Sequence, residues 1–295
     1  MLPYVEQPVL HLGPLAIHAF GALVAAAVWF GLTIVHRRFE RLGLDPRVGQ
    51  RLAAWMLAGG IAGAHLFSVL LYFPNELRED PWLILRVWEN ISSVGGMLGG
   101  IAGALLFFAL RATGDEGRAG LAYLDAIAFV FPSALAIGRV GCALAHDHPG
   151  TVTTFPLAIS LETDVALGYM RGVYDAAGLR LPPGARTMGF HDLGLYELLF
   201  LALVIIPLFA YWNRHRRRTG FYVVAFAALY LPVRFCLDML RVADARYVGL
   251  TPAQWAAALI LAALPFAAVR RRTLRLAISG AVILATGWAC WSGAP

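Results

Sequence analysis

Lysine is absent from the 295 residues, and all 24 basic side chains are arginine. Charge of either sign is scarce: Asp, Glu and Arg make up 14% of the chain, against about 25% in an average soluble domain. Cysteine is nearly missing too. Cys142, Cys236 and Cys290 stand far apart, with no CxxC pair and no metal-ligand spacing, which excludes a disulfide framework and a cysteine-built metal site. What fills the space is apolar, 59% of all residues. A soluble domain of this length leaves too much surface in water to carry that composition, and a disordered chain would need the opposite one. The arginines give a net charge of +6 but are scattered through short loops. That distribution does not point to nucleic acid; it points to membrane topology and to contacts with lipid phosphates.

The apolar runs are long enough to cross a bilayer at about 20 residues each. They predict an all-α, polytopic integral membrane protein with seven or eight transmembrane helices. The first run is about Ala16–Val35, the second Leu52–Phe73, the third Val94–Leu110 and the fourth Leu121–Ala145. The fifth is about Leu193–Trp212, the sixth Phe221–Leu240, the seventh Gln254–Val269 and the eighth Leu276–Trp291. The seventh is short, which leaves a count of seven open. Glycine-rich runs at Ala58–Ala64 and Gly95–Gly103 suit close helix packing, or room for a headgroup at a span entrance.

The chain reads as a single membrane domain, residues 1–295, with a polar Gly/Pro-bearing segment at 146–190 forming a small extracytoplasmic head between the fourth and fifth spans. Alternate loops hold 15 arginines on one side and 7 on the other. The richer side is expected to be cytoplasmic. That places the N-terminus and the 146–190 segment outside a bacterial inner membrane. The first span lacks a small-residue cleavage site and is not read as a removable signal.

Ionisable groups within spans are costly and face cavities or partners. Arg139 lies late in the fourth span and Arg234 in the middle of the sixth. Each offers a planar fork of donors suited to phosphate; the alternative is a carboxylate partner, and Asp238 stands one turn after Arg234. Glu197 lies roughly a turn and a half inside the fifth span and could take a proton, hold an arginine or orient a histidine. His191 would open that span at the interface, where an imidazole can act as base. His146, which follows the Arg139 segment, is the second candidate base.

Together these segments resemble the bacterial prolipoprotein diacylglyceryl transferase family. Gly138-Arg139-Val140-Gly141 resembles the family's G-R-x-G. His191 to Glu197 resembles H-P-x-Q-L-Y-E, and Tyr230, Arg234, Asp238 and Arg241 resemble Y-x-x-x-R-x-x-x-E-x-x-R. Leu12 to Gly21 is similar to I-G-P-x-x-x-H-x-Y-G, and Asp80-Pro81 with Arg86-Val87-Trp88-Glu89 to D-P…R-V-W-[DE]. The five matches run in order over residues 10 to 244.

The resemblance implies transfer of the diacylglyceryl group of phosphatidylglycerol to the lipobox cysteine thiol of a preprolipoprotein, carried on its signal peptide. A thioether would form and glycerol phosphate would leave, with no cofactor and no metal. It also implies a substrate-binding set of Arg139, Arg234, Gly138, Gly141, Tyr196, Tyr230, Asp238 and Arg241, and a catalytic set of His191 and Glu197, to which the reading of the residues adds His146. Departures from the pattern are Cys142 for an asparagine, Asp147 for a longer acid, Phe20 for a tyrosine, Gly194 for a glutamine, His65 for an arginine, and Val94 where a histidine precedes a Gly-Gly pair. With that histidine missing, His146 or His148 could supply the base. The alternative function is a phospholipid-binding or transport protein on the same scaffold.

Overall fold

The computed structural model describes residues 1–12, 15–87, 91–110, 119–242 and 244–268. The eighth span at Leu276–Trp291, the arginines at 270–275, 111 and 118, Cys290, and the Trp88-Glu89 and Gly13-Pro14 parts of the motifs lie outside them.

The protein is mostly helical. A hairpin of β1 (Val9–Leu12) and β2 (Leu15–His18) leads into α1 (Ala19–Arg41). Then come α2 (Pro46–Leu71), a short α3 (Pro74–Glu79), a 3-10 turn at Pro81–Leu85, α4 (Ser93–Leu110) and α5 (Gly120–Ala145). Between α5 and the next long helix lie β3 (Pro149–Thr153), β4 (Ile159–Ser160), α6 (Asp164–Ala176) and β5 (Gly189–Asp192). The last helices are α7 (Leu193–Trp212), α8 (Phe221–Met239) and α9 (Pro252–Ala268). Six of these, α1, α2, α4, α5, α7 and α8, are long and apolar enough to cross a membrane. The seventh apolar run forms α9, of 17 residues.

Two helix ends differ from the apolar runs. α1 continues through His36, Arg37 and Arg38 to Arg41, because basic groups in a last turn complement the helix dipole and long arginine side chains extend away from an apolar surface. The Arg38 guanidinium lies 3.6 Å from the Phe129 ring centroid and donates to Asn213 Oδ1 at 3.2 Å. α2 starts six residues before its apolar run. Asp45 caps it by accepting from the Arg47 N–H at 2.8 Å, and Pro46 occupies the first turn, where its missing N–H costs nothing.

The glycine runs act in packing. α2 and α4 cross antiparallel with glycine on both sides: a Cβ at Gly63 would meet Gly95 O and Gly99 Cα, each at 2.6 Å. His65, buried on the same helix, has Nε2 3.1 Å from Leu83 O and 3.2 Å from Ile84 O, which fixes the 3-10 turn against α2. α7 widens into a π turn at Leu201–Ile205, just before Pro207, whose ring and missing N–H cannot continue a regular α turn.

The segment between α5 and α7 has its own core of Ile159, Leu161, Ala166, Met170, Tyr174, Ala185 and Phe190. Its sheet runs β3-β5-β4, antiparallel throughout. The N-terminus lies on it: the Leu2 N–H donates to Ala158 O at 2.8 Å, and Tyr4 stacks on His146 at 4.7 Å between centroids. The two small sheets are an addition to the all-helical expectation. Their strands are two to five residues long, too short to show a period of two.

Candidate active site at a buried arginine–carboxylate cluster

α5, α7 and α8 bring the intramembrane charges together. Tyr230, Arg234 and Asp238 recur every four residues on α8 and so share one face. Arg139 comes from late in α5, and Glu197 from the second turn of α7. Arg139 and Arg234 are 2% and 4% exposed, Glu197 1% and Asp238 0%, so none of these charges is held by bulk water.

Glu197 joins the helices. One oxygen, Oε1, pairs with Arg234. The other, Oε2, lies 2.7 Å from an Arg139 terminal nitrogen and accepts the Tyr230 hydroxyl at 2.6 Å. Arg234 also reaches Asp238 Oδ1 at 3.1 Å, and Asp238 Oδ2 accepts from the Thr251 hydroxyl. Thr251 opens α9 as half of a capping box: Thr251 N–H donates to Gln254 Oε1 at 3.0 Å, and Gln254 N–H to Thr251 Oγ1 at 3.1 Å. This Thr-x-x-Gln pattern was a readable helix-start signal. Arg241 bonds Asp244 at 2.6 Å and has its Nε 3.4 Å from Asp238 Oδ1.

The cluster balances two guanidiniums, Arg139 and Arg234, against two carboxylates, Glu197 and Asp238. Donors are still left over. The Nε of Arg139 and of Arg234 is buried without a hydrogen-bond partner among the described residues, whereas the unbonded Nε of Arg241 has the equally unbonded Asp238 Oδ1 3.4 Å away. Buried polar groups are nearly always satisfied, so the Arg139 and Arg234 donors suit an additional acceptor.

The sequence-chosen residues divide into two groups. Arg139, Arg234, Glu197, Tyr230 and Asp238 form the cluster, with Arg241 at its edge. Gly141 serves packing, since a Cβ there would meet Phe20 Cα at 3.2 Å, while Gly138 has open space beside it. Tyr196 lies apart from the arginines, with its hydroxyl 3.0 Å from His191 Nδ1. His191 does not begin the helix; it sits on β5, and Asp192 caps α7 by accepting the Leu195 N–H at 2.9 Å. The structure therefore does not bring His191 to Glu197. Burial holds the His191 imidazole below its ordinary pKa.

His146 is buried at the left-handed end of α5 (φ 50°). Its Nδ1 lies 2.6 Å from Asp192 Oδ2 and its Nε2 3.1 Å from Val5 O. Both nitrogens face acceptors, so His146 ties the end of α5 to the cap of α7 and to the N-terminal segment ahead of β1. Asp192 was not among the sequence candidates, although an aspartate directly before an apolar run is an N-cap signal. His148 points the other way, with Nε2 3.3 Å from an Arg139 terminal nitrogen and Nδ1 2.5 Å from Asp147 Oδ1.

The helices and their buried cluster define a polytopic membrane protein with a charged site at depth between three spans. Residues 7–269 match the family model described as prolipoprotein diacylglyceryl transferase, and the chain belongs to that family. Among its relatives, a protein of Mycobacteroides abscessus is 30% identical over 84% of this chain and 71% of its own length. A protein of Chromohalobacter salexigens is 28% identical over 82% of this chain and 81% of its own. A third, from Frankia alni, is 28% identical over 88% of this chain, which spans only 64% of that relative. All three carry the name phosphatidylglycerol–prolipoprotein diacylglyceryl transferase.

Proposed function

We propose that this protein transfers the diacylglyceryl group of phosphatidylglycerol to the lipobox cysteine thiol of a preprolipoprotein. The observation that carries the reading is the donor surplus: Arg139 and Arg234 share Glu197 while each keeps an unspent buried Nε–H. The phosphodiester of the lipid donor supplies acceptors for them.

In the reaction the substrate thiol loses its proton to a base, and sulfur attacks the glyceryl carbon. The bond from that carbon to the phosphate oxygen breaks, its electrons stay on the oxygen, and glycerol phosphate leaves. Charge grows on the leaving phosphate, where fixed guanidiniums stabilise it most. Arg139 and Arg234 hold the phosphate. Glu197 and Tyr230 hold the arginines, and Asp238 steadies Arg234, with Arg241 at the outer edge. His191 is the base: its Nδ1 bonds Tyr196, and a neutral imidazole offers its other nitrogen to the thiol. The chain sits in a bacterial inner membrane with the N-terminus and the 146–190 head outside, a reading supported by the arginine asymmetry of the loops.

The test uses purified protein in vesicles of phosphatidylglycerol labelled in its headgroup glycerol, with a lipobox peptide. Label should be released as glycerol phosphate together with a peptide gaining a diacylglyceryl group, and a peptide with serine for cysteine should give neither. Donor binding without release would instead favour a lipid-binding protein.

A further inference from the structure

Arg139 is gripped at both terminal nitrogens. Glu197 takes one, at 2.7 Å. The other faces His148 Nε2 at 3.3 Å and Cys142 Sγ at 3.5 Å. A guanidinium donates and never accepts, so His148 Nε2 must be bare. A carboxylate only accepts, so His148 Nδ1, 2.5 Å from Asp147 Oδ1, must carry the ring proton. The two contacts together demand one tautomer of a neutral ring. The His148 side chain is 12% exposed. Burial, then the charges of Arg241 and Arg139, lower its pKa to about 3 against the pull of Asp147, which keeps the ring neutral beside the guanidinium.

We propose that His148, set in one tautomer by Asp147, is a positioning residue that fixes the guanidinium plane of Arg139 for the donor phosphate. The inference rests on the reading of Arg139 as a phosphate ligand. It gives a role to two residues outside the cluster, and one to Cys142, whose sulfur is a second weak acceptor on the same nitrogen. A metal site is the competing use of these groups, because ligand atoms of Cys142, Asp147 and His148 lie within 4.8 Å of one another. Arg139 argues against it. Its permanent charge already stands 3.5 Å from the sulfur and 3.3 Å from the imidazole nitrogen, where a cation would bind.

Two measurements on the full chain test this. The first is 15N NMR of histidine-labelled protein in detergent, with His148→Gln identifying the ring signals. His148 should show a protonated Nδ1 and a bare Nε2 from about pH 8 down to about pH 5; a protonated Nε2 would overturn the proposal whether or not the protein turns over. The second is steady-state kinetics. His148→Leu and Asp147→Ala should raise KM for phosphatidylglycerol roughly 10-fold and leave KM for the peptide unchanged. His148→Gln, whose amide can accept from Arg139 and donate to Asp147, should stay within about 3-fold of the parent. An unchanged donor KM in His148→Leu, or stoichiometric metal in the purified protein that His148→Leu loses, would also overturn it. If the unaltered protein shows no transfer, the proposed function fails, while the ring spectrum still decides the role of His148.

Discussion

A single carboxylate, Glu197, stands between two buried guanidiniums, and most of the site depends on it. Removing one partner of a buried ion pair leaves an uncompensated charge and costs about 3–5 kcal/mol. Glu197→Gln should therefore lower stability by about that amount, read as a reduced midpoint of unfolding in detergent; an unchanged midpoint would show that the arginines are held by other groups. His191 gives a pH signature. Burial lowers its pKa below the ordinary 6.5, so the neutral, base-competent ring persists near neutrality, and transfer should fall only as pH drops below about 6.5. His191→Gln should remove that limb and spare donor binding; a limb that survives the substitution assigns the base elsewhere. The arginines and Glu197 were legible in the sequence because charge at span depth is anomalous wherever it occurs. Asp192, and His148 as a partner of Arg139, were not. Their partners come from turns and neighbouring elements that no span periodicity registers.

Among the elements, α2 and α4 depend on the absence of side chains between them. Gly63→Ala would place a Cβ against the backbone of Gly95 and Gly99, atoms that cannot rotate aside. Overpacking of this kind costs about 1–3 kcal/mol. The expected result is a lower unfolding midpoint, whereas Gly138→Ala, which meets open space, should cost far less on steric grounds. Equal midpoints for the two variants would mean that the helices can separate without loss. The spans were readable from apolar length, and the fifth matched its run from Leu193 to Trp212. The end of α1 and the start of α2 were not, because arginine tails and an Asp-Pro cap extend a helix beyond its apolar stretch. The sheet of β3, β4 and β5 escaped because its residues pair with segments up to about forty positions away, and one of its neighbours is Leu2, which bridges Ile159 from the start of the chain.

For the whole molecule, the arginine asymmetry and the antiparallel packing of the helices lead to one proposed orientation. The ends of α1 and α7 meet the starts of α5 and α8 around Arg38, which contacts Phe129, Tyr222 and Asn213. The 146–190 segment lies past the opposite end of α5. A cysteine at the exposed position Ala176 should react with an impermeant maleimide in intact spheroplasts, and reaction only after lysis would invert the orientation. The central claim is that Arg139 and Arg234, each fixed through its terminal nitrogens, hold the donor phosphate through the Nε–H that the cluster leaves free. The most direct measurement is the rate of glycerol phosphate release by Arg139→Lys and Arg234→Lys proteins at matched folded amounts. Loss of a charge-assisted hydrogen bond from each Nε–H, worth about 1.5–3 kcal/mol, predicts a fall of roughly 10- to 100-fold in each, since a lysine restores the charge but neither the Nε donor nor the planar group that Glu197 holds. Near-parental rates in both would contradict the account.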